Sequence, residues 1–146
     1  MGRTFEAAAR GIAAAAGATY ATIGCGANAR ARLREIGFFS SAATAASVGL
    51  GRPANAPVAS TAILGQTRDP ADAVASLVSI GTAWSTAPTA PSVFLRRAVL
   101  PNVIGAGVIW QWSGEGLIIP ASGFLVLWNF GAAAGPAPDV YAVWEE

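Results

Sequence analysis

The stretch IGCGANA sets Gly24, Gly26 and Ala29 at the spacing of a dinucleotide-binding turn. In such a turn, glycines let backbone amides close on a pyrophosphate. TYATI (19–23) before it could be a strand, and ARARLREIG (29–37) after it could be drawn as a helix. That reading also needs an acidic residue about twenty positions on, for the ribose. After Glu35 the next acid is Asp69, and no strand–helix alternation follows. The motif therefore reads as a glycine-rich loop between strands. Other chemistries lack their parts too. The chain has no histidine, so Cys25 has no imidazole to activate it and no serine can work through one. One cysteine without histidine does not make a zinc site, and no run of alternating acids makes a calcium loop. Asp69 and Asp72 suit the start of a helical turn, and Glu115 sits in the turn SGEGL. The expectation is a protein that is not an enzyme and holds no cofactor or metal.

What remains are groups that grip other surfaces. All nine basic residues are arginine, whose planar fork suits packed contacts. Arg30, Arg32 and Arg34 alternate, so in a strand they share one face, where they could hold phosphates or an ion-paired neighbour. With a net charge of only +1, no nucleic-acid partner is expected. Arg96 and Arg97 must point to opposite faces of a strand, one of them paired. Trp110 and Trp112 stand two apart and Trp128 follows; such rings belong to a core, to the centre of a subunit contact, or to a sugar-stacking platform.

These side chains need a scaffold, and the hydrophobic pattern names it. The uncharged stretch GLIIPASGFLVLWNF (116–130) is broken by Pro120 and Gly123, which disfavours a membrane helix. After the break Phe124, Val126 and Trp128 alternate with Leu125, Leu127 and Asn129. Period-two alternation marks a strand. VIWQWSG (108–114) and DVYAVWEE (139–146) alternate as well, and 76–86 and 94–101 are rich in β-branched and aromatic residues. Short strands between Gly, Pro, Ser and Asp predict an all-β, antiparallel sandwich or barrel. Residues 30–39 and 46–52 are expected to form a hairpin about SSAATA, and 51–60 and 84–92 to be loops. TRDPADA (67–73) reads as one helical turn with Asp69 as its cap. Residues 1–22 are expected as an extended or short helical arm, with the sandwich over 23–146. The alanine run near the N-terminus lacks the greasy centre of a secretory signal, so a mature, unexported chain is expected, with no membrane partner.

LREIGFF (33–39), FLRRAVLPNVIGAGVIWQWSGEGLIIPASGF (94–124) and the closing DVYAVWEE together resemble a family of small tailed-bacteriophage virion structural proteins, of the kind that decorate or cement capsids. The resemblance covers about half of the chain and carries no catalytic residues. It implies an all-β, antiparallel β-sandwich subunit of jelly-roll type, a homotrimer, that binds the major capsid protein on the outside of the virion shell after being made in the host cytoplasm. An arm reaching across capsomers would bring Arg3 and Phe5 to a neighbour. Arg30, Arg32, Arg34, Arg96, Arg97, Trp110, Trp112 and Trp128 are the other candidate contact residues. The alternatives are a tail- or baseplate-associated virion protein, or a carbohydrate-binding module using Trp110 and Trp112.

Overall fold

The computed structural model describes residues 2–146, which form twelve strands and no helix. In chain order these are β1 (Thr4–Arg10), β2 (Thr19–Cys25), β3 (Ala31–Ser40), β4 (Ala46–Gly51), β5 (Val58–Leu64), β6 (Gln66–Thr67), β7 (Val78–Thr86), β8 (Phe94–Leu100), β9 (Gly107–Gln111), β10 (Leu117–Ile119), β11 (Phe124–Asn129) and β12 (Pro138–Glu145). Sheet A runs β10-β3-β12-β1-β6, with β9 beside β10 along the same edge of β3. Sheet B runs β5-β7-β2-β11-β4-β8. Every pairing is antiparallel.

The order is that of a ribbon wound on itself. The first four strands pair in turn with the last: β1 with β12, β2 with β11, β3 with β9 and β10, and β4 with β8. Successive strands of the ribbon fall in opposite sheets, and β12–β3 and β11–β4 pairings close each sheet. This is a jelly roll. One excursion interrupts it, between β4 and β8. There β7 extends sheet B beyond β2, β5 lies outside β7, and β6 adds to β1 in sheet A.

Alternation builds the core. In β1, Phe5 and Ala9 are buried while Glu6 and Arg10 are exposed. In β12, Val140, Ala142 and Trp144 point inward, as their spacing predicts. They meet Leu33, Ile36 and Phe38 of β3 and, from the other sheet, Tyr20, Ile23, Leu50, Ile80, Leu125 and Leu127. The turn at 120–123 separates two strands as expected, yet β10 and β11 join different sheets. The hairpin expected from 30–39 and 46–52 does not form. SSAATA carries the chain from sheet A to sheet B, so β3 and β4 never pair. The expected arm is part of the sandwich: β1 is hydrogen-bonded on both sides, and the boundary at residue 22 falls inside β2. Alternating small residues with one phenylalanine were enough to seat it in the sheet.

Glycines set the sheet surface. Gly37 lies opposite Tyr141, Gly24 opposite Phe124 and Gly107 opposite Phe39, and a Cβ at each would overlap the facing ring. Rings resting on neighbouring glycines fill the surface that the missing side chains leave, and they pin register.

Two polar knots join the loops. The Asn129 amide is buried; its Nδ2 donates to the carbonyls of Ala14, Ala15 and Ala133, and its Oδ1 accepts from Gly131 N–H. The Glu146 carboxylate accepts from Ser76 Oγ at 2.5 Å, from Leu77 N–H and from Trp144 Nε1 at 2.9 Å.

Both tyrosines resist ionisation. Burial pushes Tyr20 up to about 12, and burial plus the hydrogen bond to Glu35 does the same for Tyr141. The folded values stand above the unfolded value of about 10. Their contribution is therefore complete below pH ~10 and is lost as pH rises through ~12. Ultraviolet difference absorbance is expected to show no tyrosinate near pH 10, then both groups ionising together with unfolding. A separate, early titration of one tyrosine at its ordinary value would contradict this.

Candidate interaction surface

Two regions of the sandwich present chemistry to solvent. The first is the edge where β8 of sheet B lies over β9 of sheet A. It exposes Val93, Val99 and Ile104 at 68%, 71% and 68%, together with Val103 and Ile109. The β8–β9 connection is what projects Val103 and Ile104 outward, and it carries no charge. Arg96 and Arg97 flank these apolar residues on opposite faces, as alternation requires. Neither is paired with a carboxylate, contrary to expectation. Arg96 instead lies 5.6 Å from the Trp112 ring. Arg97 lies 3.9 Å from the Phe130 ring, with Phe94 at 5.6 Å. Such cation–π contacts contribute about 0.5–1 kcal/mol at exposed sites. Arg96 spends its Nη1 on the Leu95 carbonyl at 2.9 Å, and its other nitrogens can still donate. Trp110 packs against the core and Trp112 closes the end of the sandwich, both half-buried. Trp128 lies on the other sheet, opposite Gly49.

The second region is a cleft of about 410 Å³ on the outer face of sheet A. One cross-strand row, Gln66, Glu6, Val143, Glu35 and Gln111, from β6, β1, β12, β3 and β9, ends in it: Val143, Glu35 and Gln111 line the cleft. Glu35 accepts from Tyr141 Oη and from Gln111 Nε2, both at 2.5 Å, which holds its carboxyl below the ordinary glutamate range. The Arg34 guanidinium donates to Glu145 at 2.7 Å, lowering that carboxyl also, and to the Gly114 carbonyl. Arg68 reaches Glu6 at 3.1 Å.

The other candidate residues are dispersed. Phe5 is core, stacked on Trp144 with centroids 6.4 Å apart, so it is not a contact residue. Arg3 is exposed and ion-paired with Asp72 at 2.6 Å. Arg32 and Arg34 share the outer face of β3, both beside Glu145, as their alternation indicates, while Arg30 precedes the strand; at Arg34 a bulge shifts the β3–β12 register. Gly24 belongs to β2 and Gly26 starts a turn into β3, so no helix N-terminus faces a phosphate. Cys25 is buried, and burial raises its thiol pKa. Among the described residues, no three His, Cys, Asp or Glu side chains are grouped to hold a metal ion, and no helix is long and apolar enough to cross a membrane.

Sequence reasoning did not single out the exposed valines or the polar row. For the valines, residue type alone does not assign a face. The row is assembled from five strands and has no local signature. No family model, curated protein or solved structure matches the chain.

Proposed function

We propose that this is a non-catalytic virion structural protein, a homotrimeric decoration subunit that binds the major capsid protein on the outside of a phage shell. The observation that carries the reading is the β8–β9 edge, where five large aliphatic residues stand exposed beside two arginines without carboxylate partners. Large aliphatic residues exposed along one edge favour a surface that is covered in an assembly. The arginines beside them are of the type enriched at interface hot spots. A jelly roll supplies rigidity, and the work is mechanical: a clamp that buries apolar area between neighbours and adds arginine-centred hydrogen bonds at its margin.

The test is to add purified protein to undecorated capsids and to measure copies bound and the temperature of shell rupture. Binding with a raised rupture temperature, and a trimer by light scattering, is the expected result. Val99→Lys with Ile104→Lys is expected to weaken binding at least about 30-fold, the scale of a lost hot spot of about 2 kcal/mol. Circular dichroism of that variant should stay unchanged, because both sites are exposed. A monomer that leaves capsids undecorated and no more heat-resistant would overturn the reading.

A further inference from the structure

From the outer face of sheet A, away from the β8–β9 apolar edge, we infer that the row Gln66–Glu6–Val143–Glu35–Gln111, with the cleft at its Val143–Glu35–Gln111 end, forms a binding groove for a neutral, hydroxyl-rich oligosaccharide. Five strands at a spacing of about 4.8 Å make the row about 19 Å long, the scale of a linear glycan of a few rings. The groove crosses the strands at right angles.

Three features select the ligand class. The first is charge. Arg34 is engaged by Glu145 and Arg68 by Glu6, so no uncompensated cation waits for a phosphate or a carboxylate. The second is geometry of the polar groups. Glu35 is held by Tyr141 and Gln111, yet an ionised carboxylate has about four acceptor positions and only two are used. Arg68 spends its Nε on Glu6 and keeps its terminal amino groups. Gln111 donates to Glu35 and keeps its carbonyl oxygen. Planar carboxylate, amide and guanidinium groups, fixed side by side, match vicinal hydroxyls, which both donate and accept. The third is apolar surface. Trp112 borders the cleft with its ring turned towards the core and Arg96, and Val143 is the apolar floor, almost flush at 8% exposure. A flush apolar floor between polar groups suits the C–H face of a pyranose. A peptide would instead require an open strand edge or pockets for apolar anchors, and the row offers neither.

The arrangement is pre-organised. Tyr141 rests over Gly37, so its hydroxyl is delivered to Glu35 from a fixed ring. Trp112 is anchored by its backbone N–H, which donates to the Arg34 carbonyl at 2.9 Å, and by Arg96 against its ring. Groups locked before binding lose little freedom on binding.

The probes are α- and β-linked glucose tetrasaccharides, chitotetraose and a galactose tetrasaccharide, with tetragalacturonate as an acidic control. Titrations follow heat and the Trp112 indole N–H resonance, assigned through Trp112→Phe. At least one neutral probe is expected to bind with a dissociation constant below about 1 mM and to shift that resonance. Gln111→Ala, an exposed truncation that leaves the core intact, is expected to weaken it about tenfold, the scale of one lost hydrogen bond. Trp128→Phe, on the other sheet, is expected to leave it unchanged. The inference is overturned if no neutral probe binds at about 10 mM, if only tetragalacturonate binds, or if Gln111→Ala binds as well as the unaltered protein.

Discussion

Trp144→Ala is expected to lose about 3–5 kcal/mol of stability, the cost of emptying a large aromatic site in a packed core. Trp144 is wholly buried, stacks on its cross-strand neighbour Phe5, and covers Gly65, where an added Cβ would overlap the ring. Its indole N–H also donates to Glu146, the carboxylate that gathers Ser76 and Leu77 from the β4–β8 excursion. Removing the ring therefore opens a cavity and loosens the tie to that excursion. Domains of this size have about 5–15 kcal/mol in total, so the variant should approach the unfolding threshold at ambient temperature. Urea titration followed by near-ultraviolet circular dichroism measures it. Trp128→Phe, half-buried on the outer face, should cost less than about 1 kcal/mol. Equal losses at the two tryptophans would mean that Trp144 is not the keystone its burial suggests.

Asn129→Asp is expected to be the more damaging of two changes at the other polar knot. Asn129 is 1% exposed and uses both ends of its amide, donating to three carbonyls and accepting from Gly131. Asn129→Ala removes all of these and should cost about 2–4 kcal/mol, since each buried group left unpaired costs about 1–3 kcal/mol. An aspartate keeps the acceptor towards Gly131 but cannot donate when ionised. It would face the carbonyls of Ala14, Ala15 and Ala133 with negative charge. Lowering the pH enough to protonate that carboxyl should recover part of the loss, because its acid form can donate. Thermal unfolding of both variants from neutral to acidic pH decides the matter. If Asp is tolerated better than Ala at neutral pH, the three donated bonds do not hold the loops.

The strands that alternate were legible and the connections were not. Val108, Trp110 and Trp112 fell on one side and Ile109 and Gln111 on the other, as spacing indicated, because β9 has one face on the core. β12 was readable for the same reason. β5, VASTAIL, gave no signal, because all seven of its residues are exposed and no burial sorts them. The false hairpin arose because a loop of small residues looks the same whether it turns back or crosses between sheets. Arg32 and Arg34 could be placed on one strand face, but the bulge that brings Glu35 onto the same face as Arg34 could not be foreseen. The polar row escaped because neighbours such as Glu6 and Gln111 are brought to one line only by register across four pairings.

The wound ribbon has a consequence for biosynthesis. β1 finds its principal partner in β12, and Arg3 and Glu146 exchange backbone hydrogen bonds at 3.0 Å. A nascent chain on the ribosome must therefore keep β1 waiting until residues 138–145 have left the exit tunnel. Native contacts between segments so remote in order make for slow folding, in the range of milliseconds to seconds. During that delay the unpaired edge of a growing sheet is open to other chains. Translation speed and chaperone supply, more than final stability, would then govern how much active subunit a cell recovers.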